Sequence, residues 1–310
     1  MIDSKEKNFV SAVVYVRNNE MEIANFIKEI NTVLKNNFLK YELVFVNDAS
    51  TDNSVNIIKD SSKLFDSSVT SIVNMSYYQG LEIAMNAGVD IAIGDFVFEF
   101  DTTAIDFQTE LVMKIYKKSL EGFDIVSAAP RKINKLSSNL FYKIFNRYSH
   151  VPNKLFTETF RILSRRVINR IQSISKTIPY RKAIYAECGL KTTTVFYDRM
   201  ANVVEEHKDS NRMNLAIDAI VLFTDVAYRL AITFTVTMMG ISLVTVFYAL
   251  AMFFDRKPIE GWTSMVLLIA LGLFGLFAVL SIIIKYLSVI LNLIFRKQEY
   301  VVESVIKLTK

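Results

Sequence analysis

A single cysteine, Cys188, in 310 residues rules out an intrachain disulfide and any metal site built from several thiolates. Histidine is nearly as scarce, so a histidine-based triad or a zinc site would have to use His150 or His207. None of the nine glycines forms a G-x-G-x-x-G turn or a phosphate loop with G-K-[S/T], which removes dinucleotide and P-loop chemistry. The basic residues give a net charge of +5 but form no long run and have few aromatics between them, which argues against a nucleic-acid partner. No secretory leader is expected, because the charged start Asp3, Lys5, Glu6, Lys7 leads only to a short apolar stretch, Phe9 to Val16. These absences fit a reducing compartment and a first domain in the cytoplasm.

What is plentiful is apolar sequence, 52% of the chain, and it is unevenly placed. Residues 1–229 alternate apolar and charged blocks, whereas 230–295 are almost purely apolar. Leu230 to Phe254 carries no charged side chain and exceeds the about 20 residues that cross a bilayer core. Met265 to Ile284 is a second such run, ending at Lys285. The linker between them holds Pro258, Gly261 and Trp262. The pattern predicts transmembrane helices at 230–254 and 264–285, joined as an antiparallel hairpin, with a tail over 286–310. Arg296, Lys297, Lys307 and Lys310 outnumber Arg256 and Lys257, which places both termini in the cytoplasm of a multi-pass cell-membrane protein. Over 206–229, Met213, Ala216, Ile217, Ile220 and Val221 recur at helical spacing, giving either an interfacial amphipathic helix or a core helix. Gly272 and Gly275 do not have the spacing of tight helix dimers, and a homo-oligomer stays open.

Residues 1–205 form the expected α/β domain. Apolar runs predict strands at Val10–Val16, Leu43–Val46, Thr70–Asn74, Phe96–Phe100 and Phe123–Ser127. Helical patterns lie between them at Glu20–Lys35, Ser54–Phe65, Leu81–Ile93 and Gln108–Glu121. Such alternation predicts a mostly parallel, doubly wound sheet whose ligands bind outside the carboxyl ends of the strands. The second strand ends in Asn47-Asp-Ala-Ser-Thr-Asp-Asn-Ser54, where Asp52 or Ser54 suits a helix N-cap and Asp48 does not. The fourth delivers Asp101, followed by Thr102, Thr103 and Asp106. A carboxylate emerging from a buried strand into a cleft suits a hard divalent cation.

Four segments together resemble family 2 glycosyltransferases of the GT-A fold: Leu43-Val-Phe-Val-Asn-Asp-Ala-Ser-Thr-Asp52, Ala87-Gly-Val-Asp-Ile-Ala-Ile-Gly-Asp95, Phe98-Glu-Phe-Asp101 and Phe160-Arg-Ile-Leu-Ser-Arg-Arg166. The resemblance is strongest to the members that use polyprenyl phosphate, such as dolichol-phosphate-mannose synthases and bactoprenol glucosyltransferases. It implies an inverting, metal-assisted transfer of sugar from a nucleotide-sugar donor to a polyprenyl (undecaprenyl) phosphate, for a cell-envelope glycan. Carried onto this chain, it places Asn18, Glu20, Asn47, Asp48 and Asp101 at the nucleotide sugar. Asp101 would hold Mg²⁺ or Mn²⁺, and Asp101, Asp106 and Glu158 would be catalytic. Arg161, Arg165 and Arg166, with Arg131, would bind the acceptor's phosphate. The family's Asp-x-Asp is here Asp101-Thr102-Thr103, which takes one carboxylate from the ion's expected site. The alternative implied by such departures is a non-catalytic partner that binds nucleotide or lipid without transfer.

Overall fold

In a computed structural model the described residues are 5–63, 69–131, 136–149, 154–174, 180–200, 211–224, 226, 229–238, 240–241, 244, 262–295 and 300–308. The chain divides into two compact units, one comprising Met1–Asn146, Val151–Leu215 and Lys297–Lys310, the other Arg147–His150 and Ala216–Arg296.

Within the first unit an uninterrupted apolar strand, β1 (Val10–Val16), starts the sheet. It lies between β2 (Tyr41–Asn47) and β4 (Phe96–Phe100), parallel to both, and β3 (Val69–Met75) adds parallel to β2. Side chains alternate across a strand, so Val10, Ala12, Val14 and Val16 enter one core layer while Val13 enters the other. The first layer is covered by α1 (Ile23–Asn37), α2 (Ser54–Ser62) and α4 (Glu110–Leu120). In α1 the buried Ile23, Phe26, Ile27, Ile30 and Leu34 repeat at helical spacing, which is why this segment coils and lies flat on the sheet. The second layer is covered by α3 (Leu81–Ile91), α6 (Arg165–Ile174) and α7 (Arg181–Glu187). Gly88 lets α3 approach closely, since a Cβ there would meet Val13 Cγ1 and Val46 Cγ2 at 2.5 Å.

The parallel centre agrees with the pattern of apolar runs, but the sheet is wider and more mixed than expected. Its order is β7-β5-β6-β4-β1-β2-β3-β8. β6 (Phe160–Ser164) runs antiparallel to both β4 and β5 (Ile125–Pro130), and β7 (Thr192–Tyr197) pairs parallel with β5. The segment read as a tail supplies β8 (Val302–Leu308), antiparallel to β3. There Asn74 donates to Ser304 Oγ at 3.0 Å, and the Gln79 amide exchanges two hydrogen bonds with the backbone of Val301. α5 (Leu136–Tyr148) precedes β6.

In the second unit, α9 (Trp262–Phe295) approaches Met238, whose Cγ sits 2.9 Å from where a Cβ on Gly275 would be. The transmembrane helices expected at 230–254 and 264–285 are overturned: among the described residues no helix is long and apolar enough to cross a membrane. The expected multi-pass location in the cell membrane fails with them. Of the first stretch, residues 239, 242–243 and 245–254 lie outside the described residues, as do 255–261 of its linker. The second stretch does not end at Lys285. α9 continues to Phe295, and Lys285 forms a 2.7 Å ion pair with Asp218. The amphipathic segment expected over 206–229 contributes α8 (Asn211–Phe223), with Ala219 buried and Ile217 exposed, while 206–210 lie outside the described residues.

Candidate active site

The carboxyl ends of β1, β2 and β4 share one end of the parallel centre, where the registers pair Val16 with Asn47 and Val14 with Phe100. Two clusters of charged and polar side chains form there.

The first joins the loops after β1 and β2. Asn18, in the left-handed region at φ 52°, accepts the Thr51 N–H at 2.8 Å. Glu20 accepts from the Asn53 N–H at 3.1 Å, and its own N–H donates to Asp52 at 3.0 Å. Asp52 also accepts the Ser54 N–H at 3.0 Å, a turn bond one residue ahead of the N-cap, which is Asn53 rather than the expected Asp52 or Ser54. Burial pushes the Asp52 carboxyl up, but the hydrogen bonds from Ser54 and Glu20 leave it below its ordinary value. Asn47 accepts from the Ser50 N–H and donates to Asn74 at 2.9 Å. Asp48 is completely buried and accepts the N–H groups of Gln79 and Gly80, both at 2.8 Å, and the Tyr15 hydroxyl at 3.0 Å. The structure therefore uses Asp48 to fix the turn leading into α3. Arg17 donates to the carbonyls of Asp48 and Ala49, and its guanidinium lies 4.2 Å from the Tyr78 ring centroid, so a flat cation–π surface faces this loop cluster.

The second cluster grows from β4. Phe96, Phe98 and Phe100 pack into the first core layer and Val97 into the second. Alternation then sends Glu99 and Asp101 to the Val97 side. Glu99 is paired in register with Arg161 on β6, both fully buried. Arg161 Nη1 donates to Glu99 Oε2 at 3.1 Å and Nη2 to Asp101 Oδ2 at 2.8 Å. Its Nε lies 3.1 Å from Glu158 Oε2 without the alignment of a hydrogen bond. Arg181, at the start of α7 and also fully buried, donates Nη1 to Glu99 Oε1 at 2.9 Å and Nη2 to Asp101 Oδ1 at 2.8 Å. Its Nε and backbone N–H both reach Glu82 Oε2 on α3. Tyr185 completes the ring by donating to Glu99 at 2.8 Å.

Burial disfavours the charged forms of Asp101, Arg161 and Arg181, yet the paired charges prevail. Burial raises the Asp101 carboxyl, but the Arg161 and Arg181 guanidiniums hold it far below the carboxylate range. Burial acts to lower Arg161 and Arg181, and their carboxylate neighbours keep both well above their ordinary value. Tyr185 is pushed up by burial and by the Glu99 charge, so it remains a donor. Lys182 is raised as well, against burial, by Tyr142 and Glu158.

The remaining expected residues do not converge on this cluster. Asp106 accepts the Tyr197 hydroxyl at 2.6 Å and pairs with Arg199 at 2.8 Å, tying the loop after β4 to the end of β7. Because β6 runs antiparallel to β4, with Phe160 beside Phe100 and Ser164 beside Phe96, Arg165 emerges at the opposite end of the sheet. Four residue steps at about 3.3 Å put it roughly 13 Å from Arg161. There it donates to the carbonyls of Ala92 and Gly94, and the exposed Arg166 approaches Asp124 at 3.9 Å. Arg131 follows β5, is exposed, and lines an open hollow of about 730 Å³ with Lys114, Lys117 and Lys118. Thr103, where the resemblance places a second carboxylate, is buried and donates to Glu22 at 3.1 Å.

Among the described residues no group of three or more His, Cys, Asp or Glu is arranged to hold a metal ion. Asp101, the expected ligand, has each oxygen in a guanidinium bond, so an ion there would have to displace both arginines. These residues do not fit the expected Mg²⁺ or Mn²⁺. Arg181, Glu82 and Tyr185 escape a reading of local motifs. The available signal was Glu99: a charge inside an otherwise apolar buried strand demands a buried cation.

Residues 11–178 match the family described as glycosyl transferase family 2. An uncharacterized glycosyltransferase of Bacillus subtilis (strain 168), YkcC, is 27% identical over 95% of this chain and 93% of its own length. The bactoprenol glucosyl transferase of Shigella phage SfX is 26% identical over 83% and 86%. Among solved structures, the glucosyl-3-phosphoglycerate synthase of Mycobacterium tuberculosis in complex with Mn²⁺, UDP-glucose and phosphoglyceric acid covers 69% of this chain and 78% of its own at 16% identity, with a TM-score of 0.48. A mannosyltransferase of Pyrobaculum calidifontis in complex with GDP-mannose and Mn²⁺ covers 87% and 88% at 16% identity, with a TM-score of 0.47. With the matched segment spanning more than half of the sequence, the chain belongs to glycosyl transferase family 2.

Proposed function

We propose that this chain moves a sugar from a UDP-linked donor to a polyprenyl phosphate, with inversion at the anomeric carbon. The observation that carries the reading is family membership combined with likeness, over most of the chain, to enzymes named bactoprenol glucosyl transferases. The donor's base lies against the loop cluster of Asn18, Glu20 and Asn47, beside the Arg17–Tyr78 surface, with Asp48 shaping that cluster from beneath. The acceptor's phosphate oxygen attacks the anomeric carbon, and the bond to the diphosphate breaks with its electron pair leaving on the nucleotide. A phosphate monoester has a second pKa of about 6, so the nucleophile is already anionic at neutral pH. No free carboxylate base is required. Glu158 and Asp106, committed to Arg161 and to Tyr197 with Arg199, act by position. Arg131 with its lysine-lined hollow is the exposed cationic surface for an anionic acceptor.

The test is incubation of the purified chain with undecaprenyl phosphate in detergent and a panel of UDP- and GDP-sugars, with glycolipid and released nucleotide measured. A glycolipid formed from one donor supports the reading. The competing reading is a binding partner without turnover, favoured by the internal engagement of Asp48, Asp101 and Asp106. Nucleotide binding without product from any donor would select it.

A further inference from the structure

The Asp101 cluster holds two guanidiniums where the resemblance implies one divalent cation. Each Asp101 oxygen accepts from a different arginine at 2.8 Å, and each arginine is locked by a further carboxylate. Arg161 is held by Glu99, and Arg181 by Glu99 and Glu82. Both are fully buried, so neither swings to solvent to make room. An oxygen-bound Mg²⁺ or Mn²⁺ would sit about 2.0–2.2 Å from a carboxylate oxygen, inside the space the guanidinium nitrogens fill. It would also face two permanent positive charges, since arginine does not deprotonate. The position where the resemblance places a second carboxylate adds none, because it is Thr103, turned to Glu22.

Most of the carboxylate charge is also met without an ion. Lys182, adjacent to Arg181 on α7, brings a third cation to the field of Asp101 and Glu158 and is only part-buried. Three fixed cations, Arg161, Arg181 and Lys182, thus stand among four carboxylates, Glu82, Glu99, Asp101 and Glu158.

We propose that Arg161 and Arg181 occupy the cation's place at Asp101, and that sugar transfer by this chain uses protein cations, with Lys182 the one nearest solvent, in place of a divalent ion bound to Asp101. This deepens the proposed transfer reaction and rests on it for the word transfer, but its geometric half stands on the ion pairs alone. Arg181 is then a positioning residue: it touches Asp101 and acts through it.

Binding of Mn²⁺ to the full chain, followed by the EPR signal of the free ion with and without UDP, separates the two cases whatever the donor. The expected result is that Mn²⁺ binds no more tightly to the chain with UDP than to UDP alone, and that Asp101→Asn gives the same titration as the parent. A stoichiometric Mn²⁺ site lost in Asp101→Asn would overturn the proposal. Arg181→Gln, checked for folding by circular dichroism, should gain Mn²⁺ retention as one oxygen of Asp101 is released and Glu99 Oε1 keeps only the Tyr185 hydroxyl; a folded variant with no gain counts against it. If that variant does not fold, the titrations of the parent and of Asp101→Asn still distinguish a bound ion from none. Where a donor supports turnover, the rate should persist in excess EDTA, and inactivation reversed by Mn²⁺ would refute the proposal. Absence of turnover with every donor removes the transfer reading and leaves the Mn²⁺ result intact.

Discussion

Two carboxylates at the ends of β2 and β4, the strands that flank β1, are satisfied in opposite ways: Asp48 and Asp101. Asp48 accepts neutral donors, two backbone N–H groups and a tyrosine hydroxyl, and so organises a turn. Asp101 is gripped by two guanidiniums and belongs to an ion network that joins β4, β6, α3 and α7. A carboxylate held by neutral dipoles keeps its negative charge visible to its surroundings, whereas one held by two cations does not. The same residue type at the same topological position therefore leads to different chemistry, decided by its partners.

Breaking the charged side should have the largest effect. Arg181→Ala leaves Glu82 without its guanidinium and Glu99 and Asp101 with Arg161 alone, and removal of one partner from a buried pair costs about 3–5 kcal/mol. Urea unfolding should show it, and a loss below about 1 kcal/mol would mean that the network is weaker than its geometry indicates. On the neutral side, Asp48→Ala leaves the Gln79 and Gly80 N–H groups without their acceptor, a cost of about 1–3 kcal/mol. Its effect should appear as faster hydrogen exchange in the turn before α3.

Acid sharpens the contrast. Asp101 is held far below the ordinary value of 3.8, so its contribution to stability is complete above that pH and is lost as pH falls toward the folded-state value. Between about pH 4 and about pH 2 the unfolding midpoint of the parent should fall more steeply than that of Asp101→Asn; parallel slopes would contradict the assignment. The smallest effect belongs to the loop itself. Asp52→Ala removes the acceptor for the Ser54 and Glu20 N–H groups and should cost about 1 kcal/mol in thermal or urea unfolding.

The parallel centre was readable because β1, β2 and β4 are short apolar runs separated by helical patterns, and because such strands must be covered on both faces. Asp48 and Asp101 were readable for the same reason, as carboxylates at the ends of those strands. β6 and β7 were not, since Phe160-Arg-Ile-Leu-Ser164 carries a charge in mid-strand and Thr192-Thr-Thr-Val-Phe-Tyr197 is only partly buried. β8 alternates exposure along its length and pairs with a strand more than 200 residues earlier, which no local pattern encodes. The arginine pattern misled for a geometric reason. Arg161 and Arg165 lie close in sequence, but an extended strand carries them to opposite ends of the sheet. Apolarity over 230–284 likewise suggested two membrane spans, and the described residues contain no helix that meets that requirement.

By itself the sequence determined the α/β core, the strand ends that carry acid groups, and the family, because these depend on local periodicity and on contiguous motifs. Tertiary structure alone decided what those acids do. Arg181 reaches Asp101 from a helix that follows it by 80 residues, and whether a buried carboxylate is offered to a ligand or neutralised by a guanidinium depends on which charges the fold brings within hydrogen-bonding distance.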